Sequence, residues 1–96
     1  MTPLVSPQAR LDLLEIWEFI ARDDIDAADQ VITEIEHAFM ALADHPRIGH
    51  VREDLAPRDL RFWPVHSYLV VYRWEVQPIE IARVLSHWRD LVDLLP

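Results

Sequence analysis

Histidine is the first residue type to weigh for chemistry, because imidazole titrates near neutral pH and binds transition metals. The chain has five histidines. None stands at the HxH, HxxxH or HExxH spacing that brings two ligands to one metal ion. Cysteine is absent, which excludes disulfides, thiolate metal sites and thiol nucleophiles. The sequence therefore predicts neither a metal centre nor a cofactor.

Serine nucleophiles and paired carboxylates are weak candidates for catalysis. Ser6, Ser67 and Ser86 lack the glycine-flanked elbow of a serine hydrolase, and one glycine in the whole chain cannot build a phosphate-cradling loop. The acidic pairs Asp23–Asp24 and Glu53–Asp54 are more typical of solvated loops than of a glycosidase dyad.

Charge is divided unevenly along the 96 residues. Residues 1–45 hold ten acidic side chains against Arg10 and Arg22, so they carry the whole formal net charge of -8. Residues 46–96 are neutral overall, and every basic residue in the chain is an arginine. An acidic excess of this size argues against sequence-independent binding to nucleic acid through bulk charge.

Several arginines fall on the predicted strands or just after them, at Arg61, Arg73, Arg83 and Arg89. They are expected to gather at one end or edge of the sheet. Two interpretations stay open: the guanidinium groups form a recognition surface for carboxylates or phosphates, or they pair internally with neighbouring acids. Those acids are Glu75, Glu80 and Asp90.

Apolar periodicity predicts two helices in the first half. Ser6-Pro7 supplies an N-cap and a proline at the first helical position, which opens a helix over about residues 7–22. Segment 23–26 interrupts the pattern with cap-type aspartates, and a second helix then runs to about Asp44. Because the link is short, the two helices are expected to form an antiparallel αα-hairpin.

The second half predicts three strands. The first, Leu60–Val65, contains Pro64, which favours an edge strand or a bulge. The second, Ser67–Glu75, is apolar on both faces, as in a central strand. The third, Ile79–Leu85, follows a hairpin turn. A final helical turn or two is expected within His87–Leu95. The pattern is that of one α+β domain over residues 1–96, with the helical hairpin packed on a small antiparallel sheet. No secretory leader or membrane span is found, so a cytoplasmic protein without membrane contact is expected.

The order and spacing of these segments resemble the ParE branch of the RelE/ParE toxin superfamily of bacterial toxin–antitoxin modules. The resemblance extends over most of the chain. It rests on Ala9–Leu13, Ile16–Ala21, Ala27–Ala28, Ile35, Phe39, Leu42, His45–Gly49, Asp54–Leu55, Leu60–Phe62, Tyr68–Arg73, Ile79–Leu85 and Arg89–Asp90.

The resemblance implies a fold and a function. In fold, an N-terminal strand at Pro3–Val5 joins the sheet. In function, a ParE-type toxin inhibits DNA gyrase and replication without catalysis of its own, and a cognate antitoxin neutralises it by direct binding in a hetero-oligomer. The antitoxin's C-terminal segment is expected to wrap across the helices and to add to the sheet.

Two sets of residues are hypothesised to carry these contacts. The target-binding set comes from the second half of the chain: Arg61, Trp63, Arg73, Arg83, Trp88 and Arg89. The antitoxin-binding set combines exposed apolar side chains of the hairpin with strand arginines: Leu14, Ile25, Arg73 and Arg83.

An enzymatic alternative follows from the RelE branch, whose members cleave messenger RNA on the ribosome. Here His87 would transfer the proton, Arg61 would clamp the phosphate and Glu53 would act as base. Leu69 stands where some ribonuclease members carry arginine, and Ser86 stands where the ParE pattern usually has histidine. A third alternative is a non-toxic binding module of the same fold.

Overall fold

The computed structural model describes residues 2–52, 54 and 59–86, and these residues form two helices and four strands. The predicted C-terminal helix lies outside the described residues. The α+β class is confirmed. In chain order the elements are β1 (Leu4–Val5), α1 (Pro7–Ala21), α2 (Ile25–Asp44), β2 (Leu60–Val65), β3 (Tyr68–Arg73) and β4 (Glu80–Leu85).

Helix α1 begins as its sequence predicts. The Ser6 hydroxyl accepts a hydrogen bond from the Ala9 N–H at 3.0 Å and donates one to the Ala82 carbonyl of β4 at 2.7 Å. Pro7 occupies the first turn, where a missing N–H costs nothing. One side chain therefore both caps the helix and fixes it to the sheet.

Helix α2 begins at a second predicted cap, where the Asp24 carboxylate accepts from the Ala27 N–H at 3.0 Å. The Trp17 indole N–H donates to Asp29 at 2.8 Å, which joins the two helices along the hairpin. Neither described helix has the length and apolarity needed to cross a bilayer.

The sheet has the strand order β1-β4-β3-β2. Its β2–β3 and β3–β4 pairs are antiparallel, as expected, whereas β1 pairs with β4 in parallel and makes the sheet mixed. The N-terminal strand implied by the family resemblance is thus present at one edge. Strand β2 lies at the other edge, which agrees with the position of Pro64.

Side chains alternate across β3 and bury both faces of the sheet. Val70 and Tyr72 pack with Ile35, Phe39 and Leu42 of α2 in the main core, to which α1 adds further apolar side chains. Val71 lies in a second cluster on the opposite face, together with Phe62 and Leu85. The predicted two-sided apolarity of this strand is therefore confirmed, since β3 is central and covered on each side.

The tip of the β2–β3 hairpin is attached to α2. His66 adopts the left-handed conformation at this turn, with φ of 55°, and its imidazole forms a hydrogen bond with the Glu34 carboxylate. The hydrogen bond from His66 holds the pKa of the Glu34 carboxyl below its usual value of 4.5. The opposite turn, between β3 and β4, contains a cis peptide bond between Gln77 and Pro78.

An ion pair links α1 to β4 across most of the chain. Arg83 donates to Asp12 through Nε at 2.9 Å and through Nη2 at 3.0 Å, and the Val84 N–H donates to the same carboxylate at 2.8 Å. The Asp12 side chain is only 11% exposed. A bidentate, partly buried pair of this kind is worth more than a surface salt bridge.

The Asp12–Arg83 pair yields a stability prediction. Replacing Asp12 with alanine removes both the guanidinium partner and the acceptor of the Val84 N–H, so we expect the free energy of unfolding to fall by about 2–4 kcal/mol. Urea unfolding of the two single variants and of the Asp12→Ala/Arg83→Ala double variant measures the coupling. Strict additivity of the two single effects would contradict a direct interaction.

Candidate functional site

The loop that follows α2 is fixed to the sheet by one buried hydroxyl. Tyr72 donates to the Pro46 carbonyl at 2.7 Å and accepts from the Gly49 N–H at 2.9 Å. Because the Tyr72 side chain is fully buried, both loop groups are paired away from water. Burial raises the pKa of the Tyr72 hydroxyl above its ordinary value of 10.0.

Gly49 is required here for space. A Cβ atom at this position would lie 2.4 Å from the Tyr72 hydroxyl oxygen and 2.7 Å from Cε1 of the ring. The only glycine of the sequence therefore marks the point where the loop touches the sheet.

Arg61 holds the same loop from β2. Its Nη1 donates to the Arg47 carbonyl at 3.0 Å and to the Gly49 carbonyl at 2.8 Å. Its guanidinium carbon lies 4.3 Å from the centroid of the Trp74 ring, within cation–π range. Its Nε is buried and has no hydrogen-bond partner among the residues that the structure describes.

A second guanidinium shares this indole. Arg47 lies 5.6 Å from the Trp74 centroid, so two cations converge on one aromatic side chain. We call Arg47, Arg61 and Trp74 the arginine–indole cluster. Beside it lies an open cavity of about 670 Å³, lined by Asp44, His45, Pro46, Arg47, Ile48, Trp74, Glu75 and Gln77.

The other described strand arginines are in separate environments. Arg73 pairs with Asp59 at 2.6 Å and with Glu80 at 3.2 Å. Arg83 pairs with Asp12, as described above. Arg61 shares a sheet face with Tyr72, which it opposes in register, whereas Arg73 follows Tyr72 and lies on the other face. Arg61 and Arg73 do lie at the same end of the sheet, because Arg73 opposes Leu60 in register. Arg89 is not among the described residues, so the gathering of the whole set at one end or edge stays a prediction. The Glu80 pairing agrees with the internal interpretation for Arg73.

Three of the remaining predicted site residues, Trp63, Leu14 and Ile25, lie in the described part of the chain. Trp63 stacks on His50, with ring centroids 6.3 Å apart. Leu14 and Ile25 are 51% and 59% exposed on the helical hairpin. Four further residues lie outside the described part of the chain: Glu53, His87, Trp88 and Arg89.

Sequence reasoning missed Arg47 and Trp74 as partners of Arg61. Arg47 is in an aperiodic loop, and Trp74 is the last residue of the predicted apolar face of β3. One signal was available, because the lone glycine at Gly49 marks a close approach near Arg47. Among the described residues, no group of three histidine, aspartate or glutamate side chains is arranged to hold a metal ion.

The fold is that of a known toxin–antitoxin protein. The structure matches a chain of the "Chromosomal ParDE TA system from P. aeruginosa" with a TM-score of 0.74, at 18% sequence identity, over 88% of this chain and 94% of that one. This likeness shows a shared fold of two helices on a four-stranded sheet.

Sequence comparison establishes the family. The model of the family described as "ParE toxin of type II toxin-antitoxin system, parDE" matches residues 4–91. Two relatives, both called Toxin ParE1 and found in Mycobacterium tuberculosis strains CDC 1551 / Oshkosh and H37Rv, are each 33% identical over 90 residues, which are 92% of this chain and 91% of theirs. The chain belongs to the ParE family of type II toxins.

The Tyr72 hydroxyl gives a prediction with a defined pH dependence. Replacing Tyr72 with phenylalanine leaves the Gly49 N–H and the Pro46 carbonyl unpaired, so we expect a loss of about 1–3 kcal/mol in urea unfolding near neutral pH. A hydroxyl whose pKa is raised in the folded state stabilises fully below pH 10 and loses that contribution as pH rises through the folded pKa.

The stability difference between the native chain and Tyr72→Phe should therefore narrow at strongly alkaline pH. Unfolding free energies of both proteins, measured near neutrality and above about pH 10, test this. Tyr68→Phe is the matched control, since it removes the other tyrosine hydroxyl. A constant difference across this range would refute the assignment.

Proposed function

We propose that this chain is the toxin of a toxin–antitoxin pair and that it stops DNA replication by inhibiting DNA gyrase, acting through binding and not through catalysis. The observation that carries the proposal is the match to the ParE family over residues 4–91. The net charge of -8 supports a protein target over direct contact with DNA, because the chain as a whole repels polyanions.

The target-binding surface is proposed to come from the second half of the chain. Arg61 and Trp63 are the described members that no carboxylate pairs with within the described residues. Arg73 and Arg83 belong to the same hypothesis, but their guanidinium groups are already bound to carboxylates, so a target must compete with those partners. Trp88 and Arg89 complete the set.

The antitoxin is proposed to bind the outer surface of the helical hairpin. Leu14 and Ile25 expose more than half of their surface there, and the first 45 residues carry the whole formal net charge of -8. An exposed apolar side chain among acidic ones fits a segment with apolar anchors and basic flanks. Arg73 and Arg83 would then contact acidic residues elsewhere in the same antitoxin.

The ribosome-dependent ribonuclease stays as the second candidate because of one observation. Arg61 forms no ion pair with a carboxylate of the described residues, so its positive charge is not already neutralised there, which is what a phosphate clamp requires. His87 and Glu53, the other members of that hypothesis, are not described.

Inducing the chain alone in a bacterial host separates the two candidates. We expect loss of DNA supercoiling or DNA breakage within minutes, while messenger RNA stays intact. His87→Ala should retain growth arrest, because binding to gyrase needs no proton transfer at this residue, and His37→Ala is its control. Early transcript cleavage that His87→Ala abolishes would replace gyrase inhibition by the nuclease, and absence of any growth effect would favour a non-toxic binding module.

The hairpin proposal predicts a selective loss of antitoxin affinity. In the Leu14→Ser/Ile25→Ser variant we expect the affinity for the product of the neighbouring antitoxin gene to fall by at least about tenfold, since two apolar contacts are lost. Val76→Ser, which alters a side chain 45% exposed on the β3–β4 turn, should bind normally. Equal affinity of all three proteins by calorimetry, with unchanged folding, would remove the hairpin from the interface.

A further inference from the structure

We propose that the arginine–indole cluster is a binding site for a single carboxylate side chain of a protein partner. The proposal names a ligand class for Arg47, Arg61 and Trp74, and it holds whether or not gyrase is the target. It rests on the way in which the described arginines are neutralised, on the cavity beside the cluster and on the charges around that cavity.

Most arginines in the second half of the described chain have carboxylate partners. Arg52 pairs with Asp54, Arg73 with Asp59 and Glu80, and Arg83 with Asp12. Arg47 and Arg61 differ, because no carboxylate of the described residues forms an ion pair with either. Their positive charges are therefore not compensated within that part of the structure.

The cluster holds its cations in place by neutral groups. Two loop carbonyls accept from Arg61, and the Trp74 ring lies beside both guanidinium groups. Carbonyls and an indole orient a guanidinium without cancelling its charge. Arg61 is fixed in this way behind the indole, and Arg47 lies against the same ring and lines the open cavity. This pair of cations on one aromatic side chain is therefore preorganised for an anion.

The shape and charge of the cavity favour one carboxylate over a polyanion. Pro46, Ile48 and Trp74 line it with apolar surface, while Asp44 and Glu75 stand on the same lining. An acidic side chain next to an apolar residue would enter between these carboxylates and meet the Arg47 guanidinium first. A nucleic acid backbone would bring further phosphates against Asp44, Glu75 and the acidic helices, where repulsion opposes binding.

A titration followed by NMR tests the site on the full chain. The probe is the peptide acetyl-Ser-Leu-Glu-Ser-amide, which carries one carboxylate, and its control is acetyl-Ser-Leu-Gln-Ser-amide. The signal is the Trp74 indole N–H, identified by Trp74→Phe. We expect the glutamate peptide to shift this signal in a saturable way and the glutamine peptide to leave it unchanged. Arg47→Ala should weaken the binding about tenfold, as expected for one charged hydrogen-bonding partner.

Matched variants separate a specific site from bulk charge. Arg22→Ala removes an equal charge beyond the opposite end of the 20-residue α2, about 30 Å away along the helix axis, and should bind as the native chain does. Arg61→Lys keeps the charge but loses the fork of donors, and should also weaken binding. These effects would support the proposal.

Three results would overturn it. The first is an equal response to the glutamate and glutamine peptides, and the second is equal binding by Arg47→Ala and Arg22→Ala. The third is saturation of the same signal by a ten-nucleotide single-stranded DNA, at matched ionic strength, more tightly than by the glutamate peptide. That last outcome would assign the cluster to phosphate.

Discussion

The hydroxyl of Tyr72 is the contact on which the arrangement of the site depends. It lies at the end of a buried ring in the central strand β3, and it satisfies one donor and one acceptor of the loop after α2. Only glycine fits at position 49, because the Tyr72 hydroxyl oxygen occupies the space that a Cβ atom would need. With the loop fixed in this way, its carbonyls face Arg61. Trp74 follows two residues after Tyr72 along the chain, and its ring lies beside the Arg61 guanidinium.

The described arginines of the second half of the chain are held either by carboxylates, which neutralise them, or by uncharged groups, which leave their positive charge available for binding. Arg83 forms a bidentate pair with Asp12 and joins α1 to β4. Arg73 pairs with Asp59 just before β2 and with Glu80 of β4. These pairs neutralise the guanidinium groups that they fix. At the arginine–indole cluster the holding groups are carbonyls and an aromatic ring, which carry no net charge. Position is then fixed while the positive charge persists, a requirement for recognising an anion.

Periodicity explains which parts of the structure could be predicted. The caps at Ser6 and Asp24 and the two faces of β3 are local patterns, and the structure confirms them. The Asp12–Arg83 pair joins residues 71 positions apart, and the cluster depends on an aperiodic loop closing onto the sheet. The strand at Pro3–Val5 came from family resemblance, because two paired residues carry too little pattern to be recognised alone.

Both edges of the sheet offer few free donors. Leu4 and Ser6 direct their N–H groups to β4, so Pro3, which has no N–H, shares the outer edge of β1 with Val5. On β2, Phe62 exchanges both of its outward hydrogen bonds with His50, and Pro64 follows on the same side. A partner strand needs a run of donors and acceptors at regular spacing, which these edges lack. Recognition by side-chain surfaces is therefore favoured over the strand addition that the family resemblance implies. The exposed hairpin face and the arginine–indole cluster are proposed as two such surfaces, with opposite charge.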